Sequence, residues 1–309
     1  MLVILVLCLF VGCKGDAKDG NAAQKTAVAT STGFNGNAAY AYAKAQVDFG
    51  PRVPGSPAAK LAGDWIIRQM RARADTVIVQ SFTYTTADGK KLPLRNILAR
   101  FRPELPERVL YVTHWDSRPV SESASTDTEK KLPVPGANDG ASGVGMFVAL
   151  GDVLKKTRPN VGVDLLFTDG EDYGEFGPPE VDVLIGAKYF ANHLPSPGYK
   201  PLYGVLWDMI GDKDLRIPYE MNSFQQAPEV VSRVWQTAAD LGHGDVFVQE
   251  SGGLITDDHI PLLNAGLRVI DVIDLLYPPH HTPQDTMDKI SAKSLGIVGD
   301  VATALVTRR

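Results

Sequence analysis

Four short runs, VLYVTH, VGVDLLF, LYGVLWD and LRVIDVI, constrain this chain more than any other feature. Each has strand length, is rich in β-branched or aromatic residues, and is apolar at nearly every position rather than at every second one. A strand that is apolar on both faces has to be covered on both faces, which is the condition of a parallel sheet wrapped by helices. Periodic segments supply the wrapping. Helices are predicted over 38–49, 57–73, from near Ser142, and over 184–193, 227–241 and 291–307, with strands over 76–84, 95–101, 108–113, 161–167, 202–208 and 267–273. The expected fold is α/β, a doubly wound, mostly parallel central sheet with helices on both faces.

With 309 residues, 44% of them hydrophobic, the chain is long enough for a large core. No repeat and no linker interrupts residues 37–309, so that stretch is read as one domain. A net charge of -5 and the absence of any basic run argue against nucleic acid as a partner. Leu2 to Cys13 is apolar but too short to span a bilayer, and suits a signal peptide (residues 1–13) ending in a lipobox, LFVGC, at Cys13. Residues 14–36 read as a flexible tether. The expectation is an exported protein, periplasmic or held to a bacterial envelope membrane only through a lipid on Cys13. Cys8 and Cys13 are the only cysteines, so a mature domain would carry no disulfide.

In such sheets ligands bind beyond the carboxyl ends of the strands, where the chain order switches direction. The polar residues of interest fall there. His114-Trp115-Asp116 ends one strand, Asp139 lies in the loop PGANDGASG, Glu171-Asp172 follows another strand, Asp208 ends LYGVLWD, and His281 follows LRVIDVIDLL. Imidazole and carboxylate together form a ligand set for a borderline cation such as zinc. Adjacent acids can divide the work, one on the metal and the other free as a general acid/base. Taken singly, each has a blander account: Asp139 as a helix N-cap, Glu171-Asp172 as a solvated turn, His114 as a satisfied core residue. Their joint placement on one rim favours a site.

HWD at 114–116, GANDGASG at 136–143, DGED at 169–172, Asp208 and His281-Thr282 together resemble the zinc-dependent aminopeptidase superfamily, with its phosphorylase/hydrolase-like α/β fold. FGPRVPGS at 49–56, GGLITDDHIPLLNAGLRVIDVID at 252–274 and HTPQDTMDKI at 281–290 make the sequence most similar to the glutaminyl-peptide cyclotransferases, especially bacterial ones. The resemblance runs from about residue 40 to the C-terminus. It implies that Asp139, Asp172 and His281 bind a single zinc ion, that Glu171 is the general acid/base, and that Asp208 and Asp257 join Glu171 in an acidic hydrogen-bond network. Trp115 and His280 are expected in the substrate pocket. Two positions depart from the pattern: Asp172 stands where aminopeptidases and animal cyclases carry Glu, and His280 where animal cyclases place Trp.

The implied activity is conversion of N-terminal glutaminyl residues of peptides and proteins to pyroglutamyl, with release of ammonia. The alternative is a dizinc aminopeptidase, with His114 and Asp208 on a second metal that Asp139 bridges. A third reading, an inactive peptide-binding protein, fits less well because Glu171 is intact. TDDHIPLL separates the first two, because a carboxylate at Asp257 gives Glu171 and Asp208 a partner for sharing protons. The competing account of that stretch is helix capping by Thr256 or Asp257.

Overall fold

The computed structural model describes residues 32–308. The expected signal peptide, Cys13 and most of the 14–36 tether therefore lie outside the described residues. Among the described residues there are eight strands: β1 Thr76–Thr85, β2 Lys91–Phe101, β3 Arg108–His114, β4 Gly162–Thr168, β5 Tyr203–Asp208, β6 Ile217–Tyr219, β7 Phe247–Ser251 and β8 Val269–Ile273. The α-helices are α1 Gly36–Val47, α2 Pro57–Arg71, α3 Ala141–Thr157, α4 Ile185–Asn192, α5 Met221–Gln226, α6 Pro228–Asp240, α7 His259–Asn264 and α8 Ala292–Thr307. Among the described residues, no helix is long and apolar enough to cross a membrane.

Six strands form one sheet in the order β1-β2-β4-β3-β5-β8. β4, β3, β5 and β8 run parallel, whereas β2 pairs antiparallel with both β1 and β4. The four strands that read as continuously apolar are the four parallel ones, and alternate side chains serve two cores. Val109 and Tyr111 of β3 join the core beneath α1, α2, α3, α6 and α8. Leu110 and Val112 join the opposite core with Phe190 of α4 and Leu262 of α7. Asp164, the acid inside the β4 run, is buried and satisfied at the far end of the sheet from the rim acids. Arg108 Nε donates to it at 2.8 Å, Arg100 Nε at 3.0 Å and Tyr199 Oη at 2.9 Å.

The folded region starts earlier than the 14–36 tether allows. Thr32 hydrogen-bonds Asp300, the Phe34 ring packs against Gly299 of α8, and Asn35 caps α1 by accepting from the Ala38 amide at 3.1 Å. An aromatic ring with a glycine-lined seat on α8 is enough to tie these residues down.

The chain leaves β3, crosses through α3 to β4 on one side, then returns past β3 to β5 on the other. That reversal splays the loops after β3, β4 and β5 and opens a crevice at their carboxyl ends. Close packing of α3 behind the crevice requires Gly143. A Cβ there would meet Thr113 Oγ1 at 2.0 Å and the Trp207 carbonyl oxygen at 2.7 Å. Gly143→Ala should therefore cost about 1–3 kcal/mol, read as a lower urea midpoint at an unchanged slope. An unchanged midpoint would mean that α3 can move off the sheet.

Candidate active site

His114 is the last residue of β3 and is fully buried. Its Nε2 lies 3.0 Å from Asp139 Oδ1 and 3.2 Å from Asp208 Oδ1, and its Nδ1 lies 3.7 Å from Glu171 Oε2. Residues from two loops and two strand ends thus meet at one imidazole. Asp139 is not a helix cap: Gly140 holds the N-cap position of α3 at φ 89°, without any side-chain cap. Only glycine adopts that conformation freely, and the turn leaves the Asp139 carboxylate facing the crevice. Asp257 is not the cap of α7 either. Asp258 holds that position, and Asp257 Oδ1 accepts from the Asp258 amide at 2.5 Å.

Glu171 and Asp172 follow β4 on a turn pinned from behind. Asp116, fully buried, accepts from the Glu171 amide at 3.1 Å and from the Asp172 amide at 3.2 Å. Asp285 does the same for the Asp139 loop, accepting from the amides of Asn138 at 2.8 Å and Asp139 at 3.1 Å and from Tyr277 Oη at 2.8 Å. His281 sits at φ 54°, a left-handed conformation strained for a residue other than glycine. Its carbonyl accepts from the Ser123 amide at 3.2 Å, and its Nδ1 lies 2.6 Å from Glu122 Oε1.

A pocket of about 310 Å³ is lined by Asp139, Glu171, Asp172, Asp208, Asp257, His280 and His281. Phe176, Met209, Leu254, Ile255, Ile273 and Leu275 supply its apolar wall. Every residue expected at the metal or in acid/base work lines this pocket, save His114, which lies behind Asp139 and Asp208. Trp115 does not belong to it. That ring lines a separate cavity of about 740 Å³ with Phe82, Leu94, Arg95 and Asp169, and its Nε1 donates to the Arg95 carbonyl at 3.3 Å. Successive side chains leave a strand in opposite directions, so Trp115 points away from the side taken by His114 and Asp116. Among the described residues no hydrogen bond joins Glu171, Asp208 and Asp257 directly; they interact through their charges.

Those charges set the proton affinities. Burial, with the neighbouring carboxylates of Asp257, Asp172 and Asp258, holds Glu171 well above the ordinary carboxylate range, against the lowering effect of His114. Burial and the charge of Asp208 do the same to Asp257. Asp172 is raised by burial and by Asp139. Burial opposes ionisation of Asp139 too, but hydrogen bonding to His114 and the charges of His114 and His281 outweigh it and lower its pKa. For His281, burial is outweighed by Asp172 and Glu122, and its pKa is pushed up to about 10. His114 is likewise raised, since Asp208, Asp116 and Asp139 outweigh its burial. His280 is lowered by burial and by His281.

The donor set fits a divalent cation. Asp139 Oδ2 and Asp172 Oδ2 are buried acceptors without a hydrogen-bond partner. His281 Nε2 lies 3.6 Å from the first of these oxygens and 3.3 Å from Asp172 Oδ1. Orphaned buried carboxylate oxygens beside an imidazole nitrogen are costly unless a cation joins them. Ligand atoms of Asp139, His280 and His281 lie within 4.8 Å of one another, as do those of His114, Asp139 and Asp208. Four residues to which the sequence alone assigns no role, Asp116, Asp285, Arg118 and Glu122, hold these groups in place. Asp116 and Asp285 stand inside the motifs HWD and HTPQDTMDKI, which was the available signal. Arg118 and Glu122 lie in a loop without periodicity and gave none.

Comparison with known proteins matches residues 96–306 to peptidase family M28. Glutaminyl cyclase of Porphyromonas gingivalis superposes with a TM-score of 0.85 at 36% identity, covering 89% of this chain and 98% of that one. A leucine aminopeptidase precursor of Bacteroides thetaiotaomicron gives 0.86 at 33%, with the same coverage. Glutaminyl-peptide cyclotransferase of Bos taurus is 26% identical over 290 residues, 82% of this chain and 77% of the relative. The chain spans only 39% of a Leptosphaeria maculans relative named as a zinc metalloprotease and 49% of aminopeptidase YwaD of Bacillus subtilis. With the family match extending over more than half of its length, the chain belongs to peptidase family M28.

Proposed function

We propose that this chain is a glutaminyl-peptide cyclotransferase that closes N-terminal glutaminyl residues to pyroglutamyl and releases ammonia. The observation that carries this reading is Asp257, a carboxylate only 3% exposed that lines the same pocket as Glu171 and Asp208. The charge of Asp257 acts on Glu171 and that of Asp208 acts on Asp257, and buried acids linked in this way favour a shared proton over full charges. That is machinery for moving a proton within the substrate rather than for activating water. The similarity to bacterial glutaminyl cyclases over nearly their whole length supports the same reading.

In this proposal Asp139, Asp172 and His281 hold one zinc ion. When bound, the zinc supplies Lewis-acid polarisation of the substrate's side-chain carbonyl. Glu171 takes a proton from the substrate's α-amine as the amine nitrogen bonds to the side-chain carbonyl carbon. Glu171 then returns the proton to the departing amide nitrogen, which leaves as ammonia. Burial and the charge of Asp257 raise the proton affinity of Glu171, Asp208 raises that of Asp257 in turn, and the pocket walls hold the glutaminyl side chain folded back on its own amine. We extend the proposal to export and lipid anchoring at Cys13, supported by the apolar run Leu2–Cys13.

A second reading, the dizinc aminopeptidase, is favoured by the cluster of His114, Asp139 and Asp208. The two separate in one experiment. The purified protein should hold about one zinc per chain, release ammonia from glutaminyl peptides and leave alanyl and leucyl anilides intact. Tight binding of two zinc ions with efficient release of free amino acids would defeat the cyclase. Glu171→Gln should lower kcat by about 100- to 10,000-fold while zinc content stays at the wild-type value; loss of metal would show that the roles of Glu171 and Asp172 are reversed.

The mouth of the pocket is apolar, with Leu254 69% exposed and Leu275 40% exposed. Exposed leucines beside a polar pocket suit an apolar residue following the N-terminal glutamine. Leu254→Asp should raise KM for such peptides roughly tenfold, about 1.4 kcal/mol, with kcat little changed. Equal KM values for the variant and the wild type would remove Leu254 from the substrate's path.

A further inference from the structure

Arg118 and Glu122 come from the long loop between β3 and α3, and together they close a ring of contacts around two of the residues that line the pocket. Arg118 is 2% exposed. Its Nη1 donates to Asp172 Oδ1 at 2.8 Å and to the Asp172 carbonyl at 3.3 Å, and its Nε donates to Glu122 Oε2 at 2.7 Å. The other carboxylate oxygen of Glu122 lies 2.6 Å from His281 Nδ1, and His281 Nε2 returns to Asp172 Oδ1 at 3.3 Å.

Each contact in the ring has a definite consequence. A guanidinium cannot give up its protons, so Asp172 Oδ1 and the carbonyl are taken as acceptors, and Oδ2 is left buried without a partner. Glu122 faces two donors and needs both of its oxygens as acceptors. Glu122 therefore keeps a proton on His281 Nδ1, so the nitrogen left for a cation to take, by displacing a proton, is Nε2. The neighbouring Ser123 amide, which donates to the His281 carbonyl, holds the strained backbone of His281 from the same loop. The ring therefore leaves one oxygen of Asp172 and one nitrogen of His281 uncommitted, and that nitrogen lies 3.6 Å from Asp139 Oδ2.

We propose that Arg118 and Glu122 are positioning residues that preset Asp172 as a one-oxygen ligand and His281 as an Nε2 ligand for a divalent cation. This rests on the assignment of Asp139, Asp172 and His281 as the zinc ligands. It also accounts for a short Asp at 172. The side chain reaches less far than Glu, and anchoring one oxygen on Arg118 settles which oxygen remains for the metal.

The test is zinc affinity itself, measured by chelator competition on the purified full domain, alongside thermal unfolding of the metal-free protein. Glu122 is partly exposed, so Glu122→Gln should fold normally. Gln offers one acceptor and one donor where two acceptors are needed, and so either Arg118 loses its contact or His281 takes the wrong tautomer. Glu122→Gln and Arg118→Lys should each weaken zinc binding by about 10- to 100-fold, with the metal-free melting temperature within a few degrees of wild type. Affinities within threefold of wild type in both variants would overturn the proposal. His281→Ala and Asp139→Ala serve as the independent check on the ligands. If these keep wild-type affinity, the ligand assignment falls and the ring's role falls with it. If they lose zinc while Glu122→Gln and Arg118→Lys do not, only the positioning role is lost.

Discussion

The fold is organised around the burial of negative charge at one end of the sheet. Asp116, Asp139, Glu171, Asp172, Asp208, Asp257 and Asp258 are all nearly inaccessible to solvent, as are His114 and Arg118. Taking ionised groups out of water costs several kcal/mol each unless partners replace the water. The chain meets this in three ways. Asp116 and Asp285 are consumed as acceptors for the backbone amides of the loops that carry Glu171, Asp172 and Asp139. His114, His281 and Arg118 are set between acids as counter-ions. Among the oxygens left unsatisfied are Asp139 Oδ2, Asp172 Oδ2, Asp257 Oδ2 and Asp258 Oδ1. The first lies 3.6 Å from His281 Nε2, and Asp257 is held against the charges of Asp208 and Asp258.

Sheet topology makes that concentration affordable. Because β3 lies between β4 and β5, the loops after these strands diverge and leave room at the rim without a cavity inside the core. The scaffold behind them is tight. Gly140 lets the Asp139 loop turn under the Asp116 carbonyl, where a Cβ would approach its oxygen to 2.6 Å, and Gly143 brings α3 against β3 and β5. Site and scaffold are thus coupled: the glycines of GANDGASG are packing requirements, and the one acid among them is left over for chemistry.

How much of this was legible follows from the physics of each element. The parallel strands announce themselves because burial on both faces leaves a continuous apolar run, and the long helices do so through periodicity. β6, β7 and α5 are short and half-exposed, and periodicity cannot register over so few residues. Of the site, the metal-type residues were visible because imidazole and carboxylates at strand ends are chemically conspicuous. Trp115, expected in the pocket from the resemblance, lines the neighbouring cavity instead, because strand alternation turns it away from the side taken by His114. Nothing in the sequence shows that His281 adopts a left-handed conformation or that Arg118 reaches Asp172, since both depend on contacts between residues far apart in the chain.

The dipeptide Glu171-Asp172 draws these threads together. One carboxylate, Asp116, fixes both of its amides, so the two side chains must leave the turn in different directions. Glu171 goes toward His114 Nδ1, Asp257 and Asp258, where burial and the two carboxylates outweigh His114 and raise its affinity for a proton. Asp172 goes toward Arg118 and His281, where one oxygen is anchored and the other is free. In the roles proposed for them, Glu171 has to change its charge during the reaction and Asp172 has to keep its own. Adjacent positions on one pinned turn satisfy both demands only because the surrounding charges differ, so it is the neighbours, more than the residue types, that separate their chemistry.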